Sequence, residues 1–528
     1  MMDTSISIFN DVLAPVTPGP SSSNTAGTCR IAKVARQIFG AKPQRALIEM
    51  STMGGFPTNF YGMKSDLAFI VGLMGKNATE YPLERAYEDA NREGIEVEYK
   101  FTDELPGTPF ELARLTLADE NGRQMVIMAA STGGGSFVIS EIDGCPVEIR
   151  GKHHELLVFL ERSSSPEMED LKDEIVAIIP TVNQAVCCEG RKYNLINIKS
   201  WQSFRPEQLT RIRGMKFVQA TAYVKPEYMI VSNINRKPVF SNYREMLDYV
   251  NKQKISLWQA AIDYEISISG WTEDEVWAYA EKLLDISLFS MEKGMEEGFT
   301  FQGITKPMAH RLAGDLLTKP LLPMGMLSYG VPAALAVMEY GNAHGNIVCM
   351  PTGGSAGIIP GAIHAAGKTM GVSKSEKVKA LLVAGLIGTF MFETNYSGEI
   401  GCQAEIGCAT AMAAAALTHF MSPDAETCCN SASLAIQSLL GLICDPVAGL
   451  VQVPCLIRNM TGVAIALVVA NASVCGFQAR IPLDEMVDAI LKVGEKIRMA
   501  ESCGAYGTPT GCRLAGEYQK MSIRKTDL

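Results

Sequence analysis

Hydrophobic and polar positions change period along the chain, and three textures result. From the start to about residue 147, helical patterns such as Arg30–Phe39 alternate with β-rich runs at Ile95–Phe101 and Met125–Ala130. Short Gly-rich stretches, among them Thr132-Gly133-Gly134-Gly135-Ser136, punctuate them. This texture predicts an α/β domain over 1–147. Over 148–226 the predicted order is a strand at His154–Glu161 and a helix at Pro166–Ile179. Strands at Val182–Glu189 and Lys192–Lys199 follow, joined by Gly190-Arg191. A helix at Pro206–Ile212 and a strand at Lys216–Val224 complete a βαββαβ unit, the ferredoxin-like arrangement of an ACT-like module.

A polar, proline-bearing linker at 227–242 leads to a region, 243–528, that is almost wholly helical in pattern. Amphipathic helices are predicted at Tyr243–Gln253, Leu257–Ser267 and Thr272–Gly294. The last is announced by the capping signal Thr272-Glu273-Asp274-Glu275. Beyond about residue 320 the helices become apolar on all faces, as helices in the centre of a large helical domain are. Small-residue runs such as Ala409–Leu417 let their backbones approach closely. The predicted fold is therefore α+β multidomain: an α/β domain, a ferredoxin-like middle module and a large all-α C-terminal domain.

Composition narrows the function classes. The chain has 528 residues, 47% of them hydrophobic, and a net charge of −10, a balance that argues against nucleic acid or an anionic membrane as partner. Residues Met1 to Pro15 show no basic segment followed by an apolar core, so a signal peptide is not expected. The apolar stretches Leu381–Phe392 and Val463–Val474 fall short of the roughly 18 residues of a membrane span and read as core helices. Fourteen cysteines without an export signal point to a reducing, cytoplasmic setting, where thiols serve burial, metal binding or redox chemistry. The adjacent pairs Cys187-Cys188 and Cys428-Cys429 read as structural.

Three other cysteines sit in Gly- and Pro-punctuated apolar segments. Cys402 lies within Gly401–Gly407, Cys444 opens Cys444-Asp445-Pro446, and Cys455 follows Val453-Pro454. They are either buried structural thiols or three soft ligands of the kind a [4Fe–4S] cluster takes when one iron stays open. The loop Pro351-Thr352-Gly353-Gly354-Ser355-Ala356-Gly357, between a β-like run and a helix, is either a tight turn or an anion cradle. Gly19-Pro20-Ser21-Ser22-Ser23-Asn24-Thr25 is either a capped polar loop or a carboxylate-binding nest. Glu399, Glu405 and Asp445 flank the cysteines, where carboxylates orient ligands, act as bases or simply pair with Arg.

Taken together these segments resemble the iron–sulfur-dependent L-serine dehydratases (L-serine ammonia-lyases), in a single-chain form with fused β and α domains. Ser5–Phe9 followed by Gly19–Ser23 is similar to the start of that family's β domain, and Thr352–Pro360 to its Gly-rich loop. Gly401–Gly407 and Cys444–Asn459, including Gly449–Cys455, match its cysteine segments. The resemblance implies that Cys402, Cys444 and Cys455 hold a [4Fe–4S] cluster. It further implies that Ser21, Ser22, Ser23, Asn24, Thr25, Thr352, Gly353, Gly354 and Ser355 bind substrate. The implied reaction removes the α-proton and the β-hydroxyl of L-serine, or of a related small amino or hydroxy acid, and releases a 2-keto acid such as pyruvate plus ammonia.

The match breaks at histidines. Asn24 stands where the family's serine loop has His, and Gly62-Met63 where it has Gly-His. Thr108-Pro109-Phe110 replaces His-Pro-Asn, Gln437-Ser438-Leu439 replaces Glu-His-Asn, and Gly353 replaces a loop Asn. The six that remain are His153, His154, His310, His344, His364 and His419. The base is left unassigned, with His344, Glu399 and Glu405 as candidates. The family's cysteine-bearing tail is also absent, leaving Cys503 or Cys512 to cap an open iron. A different substrate, or a paralogue using the cluster structurally or as a sensor, stays open at this point. A pyridoxal-phosphate mechanism ranks last because no Lys has a Schiff-base context. The expected partners are a small-molecule substrate, an effector at the ACT-like module and a second copy in a homodimer.

Overall fold

The computed structural model describes residues 6–500 other than 110 and 397, so Cys503 and Cys512 lie outside the described residues. It is a mixed α/β molecule with its sheets in the first half and helices in the second.

A six-stranded sheet dominates the first region, in the order Glu96–Thr102, Arg45–Ser51, Glu111–Ala118, Gln124–Gly133, Ser136–Ile142, Cys145–Ile149. Only its first pair is parallel, because that connection alone crosses over through helices, Ser65–Leu73 and Ala86–Arg92. Helix Thr28–Phe39 lies on the sheet. Its Ile31, Val34, Ala35 and Ile38 are buried, and Gly40 ends it at φ 75°, the left-handed stop that glycine adopts most readily.

The second region runs His154–Leu160, Met168–Ile178, Val182–Cys188, Asn194–Ser200, Pro206–Arg213 and Val218–Val224, in the predicted strand and helix order. Its antiparallel sheet has the spatial order Val218–Val224, His154–Leu160, Asn194–Ser200, Val182–Cys188. One face, with Leu156, Val158, Ile196 and Ile198, packs on its own helices. The opposite face, with Leu157, Phe159 and Leu195, joins the core of the first region.

The helical half is built around Cys408–Met421, whose residues from Ala409 to Ala416 are all wholly buried, the small polar Thr410 among them. The predicted capping box is present, with Thr272 Oγ1 accepting from the Glu275 amide at 3.3 Å and the Thr272 amide donating to Glu275 at 2.8 Å. Helix Cys455–Val474 spans 20 residues and is long and apolar enough to cross a membrane, because Cys455–Gly462 extends the run at Val463–Val474. Here it packs against the other core helices through Val463, Ala466, Val469 and Ala470.

One short ladder ties the first region to the helical half. Val16–Pro18 pairs antiparallel with Asn346–Val348, and Ile8, Phe9, Val12 and Leu13 enter the helical core. The serine loop after Pro18 and the Gly-rich loop after Val348 are thereby held on neighbouring backbone.

Candidate functional site

Two helices begin at the same cavity, and each begins with a widened π turn. Ser22–Gly27 winds into Thr28–Phe39, and Gln403–Gly407 winds into Cys408–Met421. Single π turns inside helices are rare and recur at functional sites. Between them lies a cavity of about 270 Å³. Ser21, Ser22, Ser23 and Asn24 line it from one side, and Cys444, Cys455, Glu399 and Glu405 from the other.

The cysteine wall is held from several directions. Cys402 precedes its π turn, after Gly401 at φ 92°. The Gln403 amide donates to Leu442 O at 3.0 Å, and the Gly441 amide donates to Gln403 Oε1 at 2.8 Å. These bonds stitch the Cys402 turn to the loop carrying Cys444. Arg458 donates to Ile443 O at 3.1 Å and to Asp445 at 2.6 Å, fixing that loop from its other end. Asp445 is thus engaged with Arg458. Cys455 is the first residue of its helix. One turn on, fully buried Asn459 donates to Cys455 O at 2.9 Å and Gly354 O at 2.7 Å, and accepts from the Gly357 amide at 3.0 Å. A single carboxamide thereby fastens the Gly-rich loop to the Cys455 helix.

Cys402, Glu405 and Cys444 offer ligand atoms within 4.8 Å of one another. The adjacent Cys444 thiol, then burial, push Cys402 well above the usual thiol range. Burial does the same to Cys455, reinforced by Cys402 and Glu405. Cys402 and Cys455, soft donors that resist ionising beside one another, suit a cationic centre, which would relieve that repulsion. Burial also raises Glu405 to about 7, against the lowering effect of Cys402, Thr352 and Arg458.

On the opposite wall the Asn24 amide donates to Ser21 Oγ at 3.2 Å, capping the π turn. The Asn24 carboxamide donates to Glu111 at 2.7 Å and accepts from Ser65 at 3.1 Å. Ser23 donates to the same carboxylate oxygen at 3.4 Å. Glu111 begins strand Glu111–Ala118 and pairs across the sheet with Ser131. Burial pushes it up to about 7, opposed by hydrogen bonds from Ser131, Asn24 and Ser23 and raised further by Glu399.

Gly354 also lines the cavity, whereas Thr25, Thr352, Gly353 and Ser355 lie behind its surface. Thr25 donates to Met63 O at 3.2 Å, Thr352 and Ser355 cap the Gly-rich turn, and the Gly353 amide donates to Ser22 Oγ at 3.3 Å. A Cβ on Gly353 would sit 2.8 Å from Pro20 O, so a side chain there would force the two loops apart.

Among the described residues, no histidine lines the cavity. His344, at φ 61°, meets Gly19 O through Nδ1 at 3.1 Å and braces the serine loop from behind. Burial lowers its pKa. His154 bonds Tyr223 and His310 meets Met295 O, both away from the site.

Sequence reasoning passed over Glu111, Ser131 and the Thr132–Gly134 hairpin tip, all of which line the cavity. Glu111 follows directly on the Thr-Pro-Phe segment that departs from the family pattern, and that adjacency was the available signal. Asn459 carried another, four residues after Cys455 on the same helix face.

Comparison with known proteins finds relatives of alpha-chain and beta-chain type. Residues 246–503 match the family model described as serine dehydratase alpha chain. The chain is 31% identical over 283 residues to the probable L-serine dehydratase alpha chain of Bacillus subtilis (strain 168), covering 52% of this chain and 94% of that one. It is 31% identical over 284 residues to the L-serine dehydratase alpha chain of Peptoniphilus asaccharolyticus, covering 52% of this chain and 97% of that one. The probable beta chain from Bacillus subtilis is 36% identical over 152 residues, covering 29% of this chain and 67% of its own length.

Proposed function

We propose, for a chain that belongs to the L-serine dehydratase family of lyases with alpha- and beta-type segments in one polypeptide, a β-elimination at this cavity. The substrate is L-serine or a related small β-substituted acid, and the products are a 2-keto acid and ammonia. The observation that carries the reading is that one cavity joins the cysteine segments to the serine loop, although they lie at opposite ends of the sequence.

Cys402, Cys444 and Cys455 would hold a [4Fe–4S] cluster, and Glu405 stands beside the first of them. When bound, such a cluster with three protein thiolates supplies a Lewis-acidic iron open to a substrate hydroxyl. The remaining work falls to the chain. The hydroxyls of Ser21, Ser22 and Ser23 and the backbone around Gly354 offer hydrogen bonds to a carboxylate. Asn459 keeps the Gly-rich loop at a fixed distance from the cysteine helix. Tyr396, buried with its hydroxyl on Gly388 O at 2.6 Å, backs the segment that closes the cavity beside Glu399.

The middle region is read as a ferredoxin-like, ACT-type module that takes a small-molecule effector. Its element order and its 4-1-3-2 strand order support this reading. A homodimer is proposed on the exposed apolar positions Ile457, Val468 and Phe477 along and beyond the Cys455 helix.

Anaerobic reconstitution with iron and sulfide, followed by a screen of amino and hydroxy acids for keto-acid and ammonia release, tests the reading. Cys455→Ala is expected to lose both the cluster absorbance and all turnover. Intact cluster with no product from any substrate would overturn the proposal, as would turnover that survives iron chelation.

A further inference from the structure

Four glutamates line the cavity, Glu111, Glu393, Glu399 and Glu405, with no lysine, arginine or histidine among the described lining residues. Elimination of water across Cα–Cβ needs a group to take the α-proton, and these carboxylates are the basic side chains the cavity offers. They are not equivalent. Glu405 shares a hydrogen bond with the Cys402 thiol at 3.8 Å and so belongs to the metal-holding wall. Glu393 is exposed, and Glu399 is half-buried on the short turn Gly398–Ile400 that leads to Cys402.

Glu111 differs in three respects. It is 7% exposed and fixed on a strand of the six-stranded sheet, not on a loop. Its carboxylate is aimed by Asn24 and Ser23 of the serine loop, with Asn24 itself held by Ser65. It also comes from the sheet side of the cavity, while the cysteines come from the helical side. That separation suits β-elimination, in which the C–H and C–O bonds break in line on different sides of the substrate.

We infer that Glu111 is the catalytic base that accepts the substrate's α-proton, an assignment that rests on the lyase reading above. The Cα–H bond breaks and a carboxyl O–H bond forms on Glu111. The C–H electron pair becomes the Cα=Cβ bond, and the Cβ–O pair leaves with the hydroxyl. Glu111 returns its proton to solvent and the departing hydroxide takes one up, so the balance is one enamine and one water. The enamine tautomerises to an imine, which water hydrolyses to keto acid and ammonia. The pKa of about 7 matches the requirement that a general base titrate near its working pH. Glu399 is the charged group acting on it, and Ser23, Asn24 and Ser131 are its polar neighbours.

Reconstituted wild type, Glu111→Gln and Glu111→Asp are compared on L-serine and on α-deuterated L-serine. Glu111→Gln is expected to lose about 10²–10⁴-fold in kcat, the usual contribution of a general base, with KM changed far less and iron content unchanged. Glu111→Asp is expected to keep partial activity and the acid limb of the pH profile. As a readout independent of turnover, the infrared difference between wild type and Glu111→Gln should show one carboxyl titrating near pH 7. Glu111→Gln with wild-type kcat and an unchanged acid limb would overturn the assignment while leaving the lyase reading intact. Wild type with an intact cluster and no keto acid from any substrate would overturn both.

Discussion

The two walls of the cavity are built alike and held differently. Each places its chemistry at a π turn that opens a helix, and each turn is buried. The thiol wall is fixed by backbone-directed bonds from Gln403, Arg458 and Asn459, all within 57 residues of Cys402. The hydroxyl wall is fixed by a side-chain relay, Ser65 to Asn24 to Glu111, whose members come from a helix, a turn and a strand. Ligands for a metal must converge whether or not substrate is present, so rigid backbone clamps suit them. A wall that meets substrate and moves a proton needs instead a group whose charge can change, and a carboxamide relay tolerates that.

The sharpest way to break the contrast is Asn459→Ala. It removes three hydrogen bonds and leaves the buried Gly357 amide and the half-buried Gly354 and Cys455 carbonyls without that partner. A loss of roughly 2–4 kcal/mol is expected from unsatisfied buried groups, read as a lower melting temperature and reduced iron retention after reconstitution. Gly353→Ala separates the loops themselves, since the new methyl meets Pro20 O. About 1–3 kcal/mol of overpacking should accompany a raised KM with cluster content unchanged.

Glu111→Gln probes the relay through stability. Its folded pKa of about 7 is raised above the ordinary glutamate value of 4.5. The folded state therefore holds a proton that the unfolded state has released. Stability from this group is full below about pH 4.5 and is lost as pH rises through about 7. The variant should melt with wild type at pH 4.5 and above it at pH 8, by about 1–3 kcal/mol. The smallest effect is expected for His344→Asn, which keeps a residue tolerant of φ 61°. Losing the brace on Gly19 O should cost under about 1 kcal/mol in kcat/KM and leave the acid limb where it was. A vanished limb would move the base to the imidazole.

Legibility followed sequence distance. The capping box at Thr272, the helical pattern at Arg30–Phe39 and the strand and helix order of 154–224 are local patterns, and they were readable as such. The cysteine segments were readable because their neighbours Gly401, Pro446 and Asn459 also shape the local backbone. Glu111 was not readable. Its place beside Thr108-Pro109-Phe110 marks the neighbourhood, but not that a strand brings it to Asn24, and an acidic residue at a strand start ordinarily faces solvent. Thr25, Thr352, Gly353 and Ser355 share motifs with cavity residues, yet alternation and capping turn them inward, a distinction that only the folded backbone makes.

The ladder between Val16–Pro18 and Asn346–Val348 also sets an order of events. These strands lie more than half the chain apart, and contacts of such separation close late because the intervening loop must first be organised. A chain emerging from the ribosome can complete its six-stranded sheet long before residue 346 exists. Until then its serine loop has no partner strand and its glutamate no opposing wall. Assembly of the cavity is thus a late step of folding, and a truncated or stalled chain carries Glu111 without the cysteine segments that face it.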